Sequence, residues 1–458
     1  MTRTAWFENA RFGISFHWGV ASVPGRGDGW LRSGERMSLA DYEAFFPGFR
    51  PDVGWATDWA ATVRSAEAGY ALLTAKHHDG FCLWPSRLTD YHVGRTPAAG
   101  RDLIREFVDA TRAAGLRVGL YYSLVDWRHP DYPAWGDRQH PLRHDPAAQA
   151  ADAGRDWGRY LAFLHGQIRE LLTDYGHIDL LVLDFSYWNM SGETWRAAEL
   201  MAMIRRLQPD IVINDRLELD AIKRADPPAW AGDFDTAELD IPREQVRSDG
   251  GRLVPWDSWF PLGQSWFHDA ADAAAPARRK DARMLIRALV NCVSKGGNLT
   301  LNLAPDPTGA LHSHDRASLG QIGAWLRLNG ESVIGAGPAG LPKPEWGRWT
   351  RQGEVLYAHL LDQPIGHLSL HGLRGRIRSG RALATGAPLV VGNYWNAGVQ
   401  RFDQPDDQFI NLAEPIGATH ALPDADDTVL ALELTDDPAV RSELDARLAR
   451  AVARVPNP

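Results

Sequence analysis

Along about the first 330 residues, short apolar runs alternate with longer segments in which apolar residues recur at helical spacing. This alternation is typical of repeated strand and helix units that build a parallel sheet. The apolar runs predict eight strands, at residues 12–16, 70–74, 117–122, 179–184, 211–214, 230–234, 253–257 and 299–303. The helical spacing predicts helices at residues 56–68, 102–114, 155–175, 193–207, 282–295 and 314–329. We therefore expect an α/β fold, a (β/α)8 TIM-like barrel that is irregular in its fifth to seventh units, where little helix is predicted.

The pattern changes after Gly330. Residues 335–344 are rich in glycine and proline, and strand-like runs at residues 355–361, 389–391 and 429–434 are separated by turn residues. These runs predict a small C-terminal β-sandwich, and the spacing at residues 439–455 predicts a solvated surface helix. We expect a barrel domain over residues 1–335 and a β-sandwich domain over residues 345–458.

Composition narrows the class of protein. Apolar residues make up 44% and charged residues 23% of the chain, which is ordinary for a globular protein. The net charge of −9 disfavours nucleic acid as a partner, because binding to phosphate backbones needs dense Lys and Arg. Cys82 and Cys292 are the two cysteines, too few for a disulfide framework or a structural zinc site. The sequence shows neither a signal peptide nor a membrane-spanning apolar run, so we expect a cytoplasmic protein without a membrane partner.

Polar residues terminate five of the predicted strands. In a (β/α)8 barrel the strand ends meet at one face, where ligands bind. The residues placed there are His17 after the first strand, His77 and His78 after the second, Tyr121 in the third, Asp184 at the end of the fourth and Arg216 after the fifth. Packing alone rarely produces such a convergence, so we expect a binding site at this face.

Asp184 ends the nearly continuous apolar run HIDLLVLDF. A carboxylate in this position is either paired with a cation such as Arg216 or takes part in a reaction. The surrounding imidazole, guanidinium and phenol groups can bond the hydroxyls of a polyol ligand. A metal site built from the histidines is the rival interpretation. Against it, neighbouring residues of an extended strand point to opposite faces, which separates His77 from His78 unless the strand is broken there.

Hydrolysis of a glycoside through a covalent intermediate needs a nucleophilic carboxylate and a second carboxyl about 5 to 5.5 Å away. Glu238 is the candidate partner for Asp184, on a loop after the sixth predicted strand that could fold over the barrel mouth. The residues of this region alone leave four competitors open, which are Asp233, Asp235, Asp240 and Asp257.

Several long segments resemble the α-L-fucosidases of glycoside hydrolase family 29. They are FGISFHWGVASVP, AKHHDGFCLWPSRLTDYHV, GLYYSLVDWRHPDY, DLLVLDF, INDR and LVNCVSKGGNLTLNLAPDPTGAL, and the likeness covers about residues 6 to 335. The resemblance implies an irregular barrel followed by a β-sandwich, and a retaining enzyme that needs neither a metal nor another cofactor. A fucosylated oligosaccharide is the implied substrate, and a homo-oligomer is a possible assembly.

The resemblance also implies roles for single residues. Asp184 matches the nucleophile of the family, and Glu238 matches the acid/base described for many members. The residues that match sugar-binding positions are His17, Trp30, His77, His78, Tyr121 and Arg216.

Two departures from the family pattern concern specificity. Gly29 stands where many members have glutamate, and Asp257 stands where a longer glutamate is common. They leave open a related substrate such as an α-L-galactoside. A non-catalytic fucose-binding barrel and a metal-dependent hydrolase are the remaining alternatives.

Overall fold

The first eight strands form one parallel sheet in the computed structural model, which describes residues 2–134, 137–187, 189–365, 368–392, 406–412, 419–440, 442 and 446. The strands are β1 Phe12–Phe16, β2 Tyr70–Lys76, β3 Arg117–Ser123, β4 Leu180–Asp184, β5 Val212–Ile213, β6 Asp235–Glu238, β7 Trp256–Pro261 and β8 Asn298–Leu303. Their order in the sheet is β5-β4-β3-β2-β1-β8-β7-β6. A parallel bridge between Asn214 and Phe234 joins the two edges, so the sheet closes into a barrel. The predicted irregular barrel is confirmed.

Helices alternate with most of these strands. They are α1 Ala5–Ala10, α2 Leu31–Gly34, α3 Leu39–Glu43, α4 Trp55–Ser65, α5 Leu103–Ala113, α6 Pro146–Ala151, α7 Trp157–Thr173, α8 Ala197–Leu207, α9 Ala270–Ala273, α10 Ala282–Val293 and α11 Ser313–Asn329. Aspartates begin two of the long ones: the Asp102 side chain accepts from the Arg105 N–H, and Asp156 accepts from the Arg159 N–H. Such caps satisfy N–H groups that the first helical turn leaves without an acceptor.

The barrel interior is apolar at its N-terminal end and polar toward the strand ends. Phe7 of α1 packs among inward-facing residues that include Tyr70, Leu180 and Phe234. Gly13 of β1 makes room for the Tyr70 ring, because a Cβ at residue 13 would lie 2.0 Å from that ring. The apolar layer thus closes the barrel below the strand ends, where polar side chains gather.

Two predicted strands were misplaced along the chain. Residues 230–234 precede β6, which begins at Asp235, and residues 253–255 precede β7, which begins at Trp256. The physical reason is that β6 reads Asp-Thr-Ala-Glu, a polar strand with no apolar run to mark it. Glu238 consequently ends a strand and does not sit on a loop, contrary to the prediction.

Eight further strands build the C-terminal part of the chain. They are β9 Gly337–Pro338, β10 Gly347–Gln352, β11 Val355–Leu360, β12 Leu368–Leu370, β13 Ile377–Ala382, β14 Val390–Gly392, β15 Gln408–Asn411 and β16 Thr428–Leu434. Antiparallel pairing gives a five-stranded sheet, β13-β16-β11-β10-β9, and a three-stranded sheet, β12-β15-β14. Leucines of both sheets, including Leu356 and Leu370, share one core, which confirms the β-sandwich. Most of the helix predicted at residues 439–455 lies outside the described residues.

The chain divides into two compact units. One contains Met1–Asp281 and Gly297–Gly323, and the other contains Ala282–Gly296 and Ala324–Pro458. The domain boundary predicted at residues 335–345 stays a prediction. Cys82 and Cys292 are buried, and they do not form a disulfide. Within the described ranges, the helices are too short or too polar to cross a membrane.

Candidate active site

A pocket of about 120 Å³ opens at the C-terminal ends of the barrel strands. All eight residues predicted for the site line it together with six others; the full set is His17, Trp30, His77, His78, Tyr121, Val182, Asp184, Phe185, Asn214, Arg216, Thr236, Glu238, Trp259 and Trp266. The barrel brings together residues that are more than 200 positions apart in the sequence because parallel strands end at one face.

Asp184 lines this pocket at the end of β4. Its Oδ2 accepts a 2.5 Å hydrogen bond from the Tyr121 hydroxyl, and its Oδ1 lies 3.1 Å from Nη1 of Arg216. The side chain of Asp184 is 16% exposed. Both contacts fix the orientation of the carboxylate group, while enough of its surface stays open to meet a ligand.

The residue after Asp184 has an unusual backbone. Phe185 has a φ of 86°, a left-handed conformation that a bulky side chain seldom adopts. The turn directs the ring of Phe185 into the pocket, where it lies 5.0 Å from Trp30 and 4.7 Å from His78 between ring centroids. Backbone strain of this kind often accompanies functional sites, since the surrounding fold must hold it in place.

Glu238 lies at the pocket mouth, where its side chain is 44% exposed. Its Oε2 is 3.2 Å from Nη2 of Arg216, so one guanidinium holds both Asp184 and Glu238. Partial burial and the charge of Asp184 raise the pKa of Glu238, and Arg216 opposes that shift. Burial disfavours the charged form of Arg216 and so lowers its pKa. The charges of Asp184 and Glu238 raise the pKa, and the net result is a pKa above the usual range of an arginine.

The four other acids that the sequence left open as partners of Asp184 lie outside the pocket lining. Asp233 is bonded to Arg3 and Arg205, at 3.0 and 2.7 Å, and Lys223 lies 2.8 Å from Asp235. Asp240 is exposed, beyond the end of β6. Burial raises the pKa of Asp257 to about 7, and this side chain accepts from Trp259 inside the barrel. None of the four lines the pocket, and Asp184 and Glu238 are the two carboxylates among its described lining residues.

The three histidines form one wall. β2 ends at Lys76, so the chain is no longer extended at His77 and His78, and both rings face the pocket with centroids 4.0 Å apart. The strand has therefore ended before these residues, which is the condition under which neighbouring histidines need not point to opposite faces. Burial lowers the pKa of His17 to about 4 and lowers the pKa values of the other two well below their usual range. All three rings are neutral at physiological pH.

Over the described ranges there is no cluster of three or more His, Cys, Asp or Glu side chains arranged to hold a metal ion.

Aromatic rings complete the pocket, and the sequence pattern does not mark three of them. Trp30 packs edge-to-face on Trp127 at 5.5 Å. Phe185, Trp259 and Trp266 were not predicted. The 19 tryptophans of the chain were the available signal, because indole faces stack on sugar rings, but the count does not say which of them reach the site.

Gly29 lies against the histidine wall. A Cβ at this position would be 2.6 Å from the Phe267 ring and 2.7 Å from Cε1 of His77. The backbone of the segment before Trp30 therefore occupies the space beside His77. The structure thus has no room at residue 29 for the glutamate that the family pattern suggested.

We expect Gly29→Ala to lower kcat/KM by about tenfold to a hundredfold, because the added methyl displaces His77 or Phe267, and overpacking costs about 1–3 kcal/mol. Gly34→Ala is the matched control, since a Cβ there meets only Asp28, at 3.8 Å. Steady-state kinetics and thermal melts of both variants test this. Equal kinetics for Gly29→Ala and wild type would show that the space beside His77 is not restrictive.

Comparisons with known proteins agree with this geometry. The sequence profile of a family described as α-L-fucosidase matches residues 2–331. The chain belongs to the α-L-fucosidase family. It is therefore a glycoside hydrolase with α-L-fucosidase activity, and its substrate carries fucose.

Relatives extend this result over most of the chain. The tissue α-L-fucosidase of Bos taurus is 27% identical over 389 residues, which cover 80% of this chain and 76% of that protein. Among solved structures, α-L-fucosidase isoenzyme 1 from Paenibacillus thiaminolyticus is 46% identical with a TM-score of 0.89, covering 95% of this chain and 99% of that one. The Thermotoga maritima α-fucosidase is 26% identical with a TM-score of 0.72, covering 93% and 96%.

Proposed function

We propose that the chain is a retaining, exo-acting α-L-fucosidase that removes terminal α-L-fucose from oligosaccharides or glycoconjugates by double displacement. The observation that carries the proposal is that the guanidinium of Arg216 contacts both pocket carboxylates. Its Nη1 lies 3.1 Å from Oδ1 of Asp184, and its Nη2 lies 3.2 Å from Oε2 of Glu238. These two contacts allow the carboxyls to lie at the separation of about 5 to 5.5 Å that retaining glycosidases use.

In the first displacement Asp184 attacks the anomeric carbon while protonated Glu238 donates its proton to the leaving oxygen. The contacts from Tyr121 and Arg216 hold the carboxylate of Asp184 in one orientation for the attack. The raised pKa of Glu238 suits a group that must carry a proton at the start of the reaction.

In the second displacement Glu238, now a carboxylate, takes a proton from water, and the oxygen of that water attacks the anomeric carbon. Asp184 leaves with the bonding electron pair, and Glu238 regains its proton. Each displacement inverts the anomeric carbon, so the product keeps the α configuration of the substrate.

The size and lining of the pocket support exo action on one sugar. A cavity of about 120 Å³ is small beside the roughly 300–1,000 Å³ typical of sites for drug-sized ligands. Neutral histidines with Arg216 and Tyr121 offer bonds to ring hydroxyls, and Trp30, Trp259 and Trp266 offer flat apolar faces. A cytoplasmic location and a homo-oligomer stay predictions from the sequence.

The proposal is tested with p-nitrophenyl α-L-fucoside, the matching α-L-galactoside and a panel of fucosylated oligosaccharides, each with and without a chelator. We expect chelator-insensitive release of fucose, with the α anomer appearing first by NMR. The β anomer as first product would refute retention, and loss of activity with chelator would favour the metal-dependent alternative. Faster galactoside cleavage would favour the related L-sugar, and fucose binding without turnover would favour the non-catalytic barrel.

A further inference from the structure

Two buried polar residues outside the pocket lining bond to the histidines of the wall. Asn302 of β8 contacts His17, and Ser123 of β3 contacts His78. We propose that Asn302 and Ser123 are positioning residues that hold both histidines as Nδ1–H tautomers, so that each presents a bare Nε2 to accept a hydrogen bond from a sugar hydroxyl. This inference rests on the proposed function, because it specifies how the same pocket recognises the hydroxyl groups of its substrate.

The orientation of Asn302 is set by a backbone carbonyl. Its Nδ2 donates to the carbonyl oxygen of Trp266 at 2.8 Å, and a carbonyl oxygen can only accept. Its Oδ1 therefore faces Ser15 at 3.1 Å and Nδ1 of His17 at 2.7 Å. Because an amide oxygen also only accepts, Nδ1 of His17 must carry the proton.

The same reasoning applies to Ser123. Its Oγ donates its one hydrogen to the carbonyl oxygen of Val125 at 2.8 Å. The contact of 2.7 Å between this Oγ and Nδ1 of His78 then requires His78 to donate. Ser123 is fully buried, so no solvent competes for these bonds.

Both rings are left with one free nitrogen. Nε2 of His17 and Nε2 of His78 have no hydrogen-bond partner within the part of the chain that the structure describes, and both residues line the pocket. Since both rings are neutral, each Nε2 carries a lone pair. The pocket therefore selects ligands whose hydroxyls donate at these two points and disfavours ligands that present only an acceptor there, such as a C–F group.

The matched pair Asn302→Asp and Asn298→Asp tests the role of Asn302. Both residues are buried on β8, and the Asn298 Nδ2 donates to the Phe7 carbonyl at 2.7 Å, so both variants lose a bond to a backbone carbonyl. Only the aspartate at residue 302 lies beside His17. Because that carboxylate adds to the influence of Asp184, we expect the two charges to outweigh burial and the nearby His77 and His78, so that the pKa of His17 rises and Nε2 becomes a donor.

Ring-nitrogen NMR of ¹⁵N-histidine protein gives the direct readout, with His17→Gln and His78→Gln assigning the signals. We expect a bare Nε2 on both rings in the wild type. In Asn302→Asp we expect a protonated Nε2 on His17 near pH 6, with fucose bound about tenfold more weakly, since one lost bond is worth about that factor. Affinity should recover as pH rises through the new pKa of His17, whereas Asn298→Asp should match the wild type at every pH.

Ser123→Ala is paired with Ser258→Ala, whose buried hydroxyl on β7 donates to the Asp240 carbonyl and forms no hydrogen bond to a histidine among the described residues. Ser123→Ala should give His78 a mixture of tautomers and weaken fucose binding several-fold. Ser258→Ala should change neither the His78 tautomer nor the affinity for fucose. A protonated Nε2 in the wild type, or the same ring signals in each variant and its control, would overturn the proposal. Tautomer changes without any change in fucose affinity would overturn the acceptor role. The ring-nitrogen signals report on the histidine tautomers whether or not the protein hydrolyses fucosides. A failure of the proposed function would appear in the hydrolysis assay and a failure of this inference in the NMR spectra, so the two can be told apart.

Discussion

Replacing Asp184 by alanine should lower the turnover of α-L-fucosides by about four orders of magnitude or more, the scale expected when a covalent nucleophile is removed. The loss should fall on kcat, because the remaining pocket residues still bind the sugar. Tyr121 and Arg216 lose their shared partner, although Arg216 keeps its contact with Glu238, so the barrel should remain folded.

The matched control is Asp179→Ala. Asp179 lies immediately before β4, whose last residue is Asp184, and is bonded to Arg117 at 2.6 Å and to the Val118 N–H at 2.9 Å. Its removal should cost stability in a thermal melt yet leave kcat of the folded enzyme near the wild-type value. A rate for Asp184→Ala within tenfold of wild type would refute the nucleophile assignment.

Replacing Glu238 by alanine should lower kcat/KM on natural fucosides by about 10²–10⁴-fold, the usual contribution of a general acid. Activated p-nitrophenyl substrates need little protonation, so their kcat/KM should fall much less. Asp240→Ala is the control, since this exposed carboxylate lies two residues farther along the same segment. Undiminished activity of Glu238→Ala on natural linkages would reject the role.

Azide separates the two roles by stereochemistry. In Glu238→Ala the covalent intermediate still forms, and azide replaces water in the second displacement, so we expect α-fucosyl azide. In Asp184→Ala azide must replace the nucleophile itself, which inverts the configuration once and gives β-fucosyl azide. The same anomer from both variants would contradict the assignment.

The pH profile of kcat/KM should contain an alkaline limb that belongs to Glu238. The first displacement needs its protonated form, so activity falls as pH rises through its pKa, and that limb lies above the usual range of a glutamic acid because the pKa is raised. The limb should be absent in Glu238→Ala.

Much of the barrel could be predicted because its strands and helices differ in local pattern. The apolar runs at β1 and β8 place these strands correctly to within one residue. β6 was misplaced because its inward residues, Thr236 and Glu238, line the pocket and are polar. The strand that carries the proposed acid/base is thus the one that hydrophobicity does not mark.

The sequence by itself determined the α/β barrel, the β-sandwich and the set of strand-end residues, since repeated apolar periods and strand-end polar positions are local features of the chain. Only the tertiary structure shows which of the candidate acids lies in the pocket with Asp184, because barrel closure puts Glu238 at the pocket mouth and buries Asp257 inside the barrel. Only the fold also brings Asn302 to His17 and turns Phe185 and Trp266 into the pocket. Contacts between residues hundreds of positions apart depend on strand register and closure, which no local pattern records.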